Sequence, residues 1–159
     1  MINSIRDIIN EVLTLLEGVG IPNTEAARSL VFETGMAESG YRHLEQVNAA
    51  NPAISFFQIE PWVCQDIWEN FVLYRKPYIE VLYKMGLVEE SLQFCLFTNI
   101  ALAAAFCRIN YRRKPGSIPV SMPGRAAYWK KFWNTSKGKG TVDHYVAANM
   151  PHIDPREMI

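Results

Sequence analysis

Two segments carry side chains that could do acid–base chemistry on a sugar. The first is Phe32-Glu33-Thr34-Gly35-Met36-Ala37-Glu38-Ser39-Gly40, and the second is Ser55-Phe56-Phe57-Gln58-Ile59-Glu60-Pro61. A carboxyl at a helix C-terminus sits at the negative end of the macrodipole. If Phe56, Phe57 and Trp62 also wall it off from water, its charged form is disfavoured and its pKa rises. A carboxylic acid that keeps its proton near neutral pH can donate it to a glycosidic oxygen. That assigns Glu38 as the catalytic acid. Phe57 and Gln58 are expected on the substrate side, because Gln58 offers both a donor and an acceptor to a sugar hydroxyl or amide. Ser39 is expected to contact substrate or to bond back to the loop and hold it in place.

Other polar residues have plainer readings. Glu33 lies five residues before Glu38, about 140° away round a helix, so the two do not share one cleft; a salt bridge suits Glu33. Glu60 is expected to cap the helix that begins at Pro61. His43, His144 and His152 show neither triad nor ligand spacing. Ser136–Gly140 lacks the Walker spacing and reads as a mobile basic loop. No metal and no cofactor are expected.

The elements that must position these residues read as helices. Ile5, Ile8, Ile9, Val12, Leu13, Leu15 and Leu16 recur with helical period before Gly18 and Gly20. Asn23 or Thr24 caps a second helix that ends at Gly40. A loop over 47–53 follows. Ile54–Glu60 is the one candidate for a short strand or hairpin arm. Pro61 opens a third helix, and Pro77 breaks it or starts the next, which ends near Gly86. Residues 90–112 read as one long apolar helix. Pro115, Pro119 and Pro123 make a connector, and helices at Gly124–Trp133 and Thr141–Met150 close the chain. The expected fold is all-α with at most a very small β element, in a single domain over 1–159. Its chemistry lies in 28–75, and its basic helices in 123–150.

Composition narrows the class. The 159 residues carry 16 basic and 16 acidic side chains, which removes the simplest electrostatic case for a nucleic-acid binder. The balance hides a split: residues 1–107 hold 6 Lys/Arg against 13 Asp/Glu, and residues 108–159 hold 10 against 3. Such a split suits two faces that attract each other, or a basic rim for an anionic polymer. Asp7, Glu11 and Glu17 interrupt what would have to be the apolar run of a signal peptide. Ser91–Cys107 is marginal for a membrane span, and a helix buried inside a domain is the better reading. Cys64, Cys95 and Cys107 are an odd number with no zinc spacing. On one straight helix Cys95 and Cys107 would stand about 18 Å apart, so all three are expected as reduced core thiols.

Ala37-Glu38-Ser39-Gly40 followed by Phe56-Phe57-Gln58-Ile59-Glu60-Pro61 resembles the paired motifs of lytic transglycosylases and goose-type lysozymes, in particular small phage-encoded members. Asp66-Ile67-Trp68-Glu69-Asn70-Phe71, Tyr128-Trp129-Lys130, and Asn134-Thr135 through Gly138-Lys139-Gly140-Thr141-Val142 extend the likeness over roughly 28–146. The resemblance implies a lysozyme-like fold and cleavage of the β-1,4 MurNAc–GlcNAc bond by a single Glu. Its partners would be a peptidoglycan glycan strand and, in a virion, tail or baseplate proteins, with no nucleic acid and no membrane span. The chain would be made in the host cytoplasm and would reach the wall within a virion or during lysis. The alternative is a virion structural protein that keeps the fold without turnover.

Two departures stand out. Ser55 and Phe56-Phe57 replace the family's Gly and Leu-Met, at a place where Gly permits positive φ. The family's Ala-Tyr-Asn motif has no clean copy, and the resemblance assigns its cleft tyrosine to Tyr111. A retaining glycosidase needs a second carboxylate about 5 Å from the first, and an inverting one about 6.5–9.5 Å. Glu45, Glu60 and Asp66 are the candidates.

Overall fold

The computed structural model describes residues 2–45, 52–136 and 138–158; the larger part of the 47–53 loop lies outside them. Eight α-helices form the described chain: α1 Ile2–Glu17, α2 Glu25–Ser39, α3 Pro61–Ile67, α4 Lys76–Lys84, α5 Leu92–Thr98, α6 Ile100–Arg112, α7 Met122–Trp129 and α8 Val142–Asn149. The architecture is all-α. Among the described residues the β content is two isolated antiparallel bridges, Glu45 with Ile54 and Ile54 with Ile59, the second within the expected Ile54–Glu60 arm.

Packing follows from which faces are apolar. α6 is buried from Leu102 through Tyr111 without interruption, as a helix wrapped on all sides must be. α1 lays Ile5, Ile9, Val12, Leu13 and Leu16 inward and packs on α6 and α2. α2 lies between α1, α6, α7 and α8. The three cysteines are buried and free.

The expected single helix over 90–112 is two helices bent by 105°. Asn99 makes the break. Its backbone is extended (φ −118°, ψ 103°), and its side-chain oxygen accepts from the Ala101 and Leu102 N–H groups, capping α6. Its Nδ2 donates to the Met85 carbonyl at 2.9 Å. An Asn that caps one helix ends the one before it. No single helix among the described residues is long and apolar enough to cross a membrane.

The boundaries of α2 follow the sequence. The Thr24 hydroxyl accepts from the Ala27 N–H, and Gly40 closes the helix in the left-handed conformation at φ 57°. Directly after it, Tyr41 turns back over Gly35, and a Cβ at that glycine would lie 2.4 Å from the Tyr41 ring. The Tyr41 hydroxyl donates to the Phe32 carbonyl at 2.9 Å. These contacts fix the end of the helix that carries Glu38.

The two oppositely charged parts of the chain are joined inside the fold. Arg125 on α7 forks onto Glu33 on α2, Nε to Oε2 at 2.8 Å and Nη2 to Oε1 at 2.6 Å. The Tyr145 hydroxyl adds a bond to Oε2 at 2.7 Å. Glu33 therefore takes the salt-bridge role that its spacing from Glu38 suggested.

Candidate active site

A cleft of about 750 Å³ opens between two walls. One is built from Ala53, the hairpin residues Gln58–Glu60, and Trp62, Val63 and Asp66 of α3. The other is built from the end of α6 and the turn beyond it (Asn110, Arg113, Lys114), with Phe132–Thr135 and Gly138–Gly140 completing it. The volume falls within the ~300–1,000 Å³ of small-ligand sites. Glu38, the penultimate residue of α2, lines this cleft.

Burial pushes the Glu38 carboxyl up from 4.5 to about 7, against a single opposing contact, the indole N–H of Trp129. That N–H donates to Oε1 at 3.0 Å. Indole is a donor only, so Oε1 is the acceptor in both charge states, and the proton of the neutral acid belongs on Oε2.

Trp129 is 1% exposed. Its ring lies against Tyr145 with centroids 5.1 Å apart. Gly140 passes beneath it so closely that a Cβ there would sit 2.6 Å from the ring. Arg125 and Trp129 lie one helical turn apart on α7 and reach Glu33 and Glu38 on α2. The buried ion pair thus holds the register that brings the indole to the acid.

The hairpin positions Gln58. Ile54 and Ile59 exchange backbone hydrogen bonds at 2.9 and 2.8 Å. The loop between them closes with Ser55 at φ 66° and Gln58 at φ 48°. Ser55 therefore adopts, without being glycine, the positive φ that the turn requires. Gln58 lines the cleft, and its Nε2 donates to the Ser55 carbonyl at 2.9 Å. Its side-chain carbonyl accepts no bond within the described residues.

Three residues named as candidate substrate contacts do not line the cleft. Phe57 is fully buried, edge-on to Tyr41 with centroids 6.1 Å apart, and does not reach the cleft. The aromatic side chain in direct contact with the acid is instead that of Trp129. Ser39 does not line the cleft; it takes the loop-holding role, its Oγ donating to the Phe56 carbonyl at 2.7 Å. Tyr111 is 2% exposed, its hydroxyl paired with that of Thr34 at 2.8 Å and its ring stacked under Trp133 at 5.2 Å. Asn110, about 100° round the helix from Tyr111, faces the cleft in its place.

Glu60 occupies the N-cap position of α3 without a side-chain cap bond; it accepts the Trp62 indole N–H instead. Asp66 accepts from Asn70 and pairs with Arg113 at 2.6 Å, and these contacts hold its carboxyl below the ordinary value. Both acids line the cleft, and Glu45 does not. Lys130 donates to the Asn134 side chain at 2.7 Å and to the Gly138 carbonyl at 2.9 Å, tying down the described part of the 136–140 loop.

No protein-family model matches this chain, and neither a curated protein nor a solved structure does.

The arrangement offers one carboxyl poised to give and take a proton near pH 7, one aromatic face 64% open to solvent at Trp62, and polar groups at Gln58, Asn110, Asn134 and Thr135. Trp129 and Asn110 carry no role in the sequence reading, and Trp62 enters it only as an apolar wall for the acid. Trp129 and Asn110 do lie inside or beside motifs singled out there.

Proposed function

We propose that this protein is a peptidoglycan-cleaving lytic transglycosylase of lysozyme-like fold, with Glu38 as its single acid and base. The observation that carries the reading is the largely buried Glu38 carboxyl, pushed up to about 7 and opening on an aromatic, polar cleft. Trp62 offers a flat face to a sugar ring. Gln58 and Asn110 offer amides to its substituents. Arg113 and Lys114 put positive charge beside a strand that bears carboxylates.

The steps follow from the placement of the proton. Neutral Glu38 gives the Oε2 proton to the glycosidic oxygen as the bond from that oxygen to the muramic C1 breaks. The carboxylate then takes the proton from the C6 hydroxyl of the same muramic ring. The C6 oxygen closes on C1, the 1,6-anhydro product forms, and Glu38 is neutral again. Asp66 is engaged by Asn70 and Arg113, and Glu60 by Trp62. Asp66, held by the Arg113 pair, is the less available of the two as a hydrolase's second carboxylate.

A virion tail or baseplate protein with the same fold and no turnover is the second reading. It is favoured by the burial of Tyr111 away from the cleft.

Digestion of purified sacculi, read by mass spectrometry, decides. Anhydro-muropeptides from the wild type and none from Glu38→Gln support the proposal. Products with reducing ends point to a hydrolase. An inactive wild type leaves the structural reading, and an active Glu38→Gln removes Glu38 as the acid.

A further inference from the structure

A second, smaller cavity of about 230 Å³ lies between the start of α2, the end of α6, the connector after it and α7. Its charge is one-sided. Arg108, Arg112 and Lys114 line it together with the hydroxyls of Ser117 and Tyr128, and no Asp or Glu does.

Arg108 is the unusual member. It is 4% exposed, and its one hydrogen bond is from Nη2 to the Pro22 carbonyl at 2.8 Å. No carboxylate among the described residues pairs with it. Its buried Nε finds no acceptor, and the buried Tyr128 hydroxyl finds no partner either. Burial, with Arg112 adding repulsion, draws the guanidinium below its ordinary pKa. Buried cations are ordinarily paired, because an uncompensated one is costly. Arg113 next door is paired with Asp66, so the chain does supply acids where a cation needs one on the cleft side.

We propose that this cavity is a phosphate site, occupied by free phosphate or by a phosphate ester. Arg108 and Arg112 with no carboxylate beside them in the cavity, and Lys114 as a third positive charge, suit a dianion better than a single carboxylate. Hydroxyl and guanidinium donors from several directions suit a tetrahedral group of oxygens. The cavity is roomier than one bare ion requires, which leaves space for a small ester substituent. Arg108 is the anchor at its base, and the exposed Arg112 closes it from outside. The site shares Lys114 with the Glu38 cleft, but its anchor Arg108 and the outer Arg112 line only the second cavity, so the proposal does not depend on the Glu38 chemistry.

Calorimetric titration of the whole protein tests this with two probes, inorganic phosphate and glycerol 3-phosphate, and sodium chloride as the control. Saturable binding by at least one probe is expected, about tenfold weaker in Arg112→Ala and lost in Arg108→Gln. Tighter binding of the ester marks an esterified ligand, and tighter binding of the ion marks free phosphate. Circular dichroism checks that Arg108→Gln folds; if it does not, Arg112→Ala, on the surface, decides alone. No saturable binding, or equal binding by wild type and Arg112→Ala, overturns the proposal.

Discussion

Replacing Glu38 by Gln should make the protein more stable at alkaline pH, and the size of the gain follows from its environment. The carboxyl is raised from 4.5 to about 7 in the folded chain. Folding therefore favours its neutral form. The unfolded chain begins to lose the proton near 4.5, while the folded chain holds it until about 7. Each unit of difference corresponds to about 1.4 kcal/mol. The folded state is therefore penalised by about 0.4 kcal/mol at pH 4.5, about 2 at pH 6 and about 3 at pH 8. Gln has the shape of the neutral acid, keeps an oxygen for the Trp129 N–H, and does not titrate. The stability gap between Glu38→Gln and wild type should then widen by about 3 kcal/mol from pH 4.5 to pH 8, a large part of the ~5–15 kcal/mol that holds a domain folded. In melting temperature that is roughly 6–12 °C. Urea unfolding of both proteins across this range measures it, and every other titrating group cancels in the difference. A gap that stays constant with pH would show that Glu38 has an ordinary pKa, and the acid assignment would fall with it.

Three further outcomes follow from the same contacts. Trp129→Phe removes the one contact that lowers the Glu38 pKa, so carboxyl titration by carbon-13 NMR should show it about one unit higher; an unchanged midpoint refutes the role of the indole. Gly140→Ala puts a methyl against the Trp129 ring and should move the Glu38 midpoint in the same direction with no change at the carboxyl itself; the same NMR titration reads it, and a wild-type midpoint argues that the loop yields instead. Glu33→Gln removes the fully buried one of the two carboxylates that pair with Arg125 and should lower the urea-derived stability by about 3–5 kcal/mol; a loss under about 1 kcal/mol would mean that Glu157, which also accepts from Arg125 at 2.6 Å, takes over.

What the sequence discloses depends on how local the determinant is. Thr24 and Gly40 bound α2 because a cap acts within one turn of its own residue, and both are plain in the sequence. The acid at the end of that helix is plain for the same reason. Asn99 was hidden: the run around it is apolar, and its capping role is supported by the Met85 carbonyl, a partner far along the chain. Phe57 and Gln58 are neighbours in one loop, and only the left-handed backbone at Ser55 and Gln58 decides which goes inward. Asn110 and Tyr111 are consecutive, and on a helix that one step turns the side chain from cleft to core. Trp129 is distant from Glu38 in sequence, and no periodicity links the two. Their meeting is set by α7 packing on α2 through Arg125 and Glu33.

Because the indole that steadies the acid comes from the last fifth of the chain, a growing polypeptide carries an ordinary, solvated glutamate at position 38 for most of its synthesis. Neither the shielding nor the N–H exists until α7 has left the ribosome and docked. The perturbed acid is therefore a product of the docked fold and not of the helix that carries it.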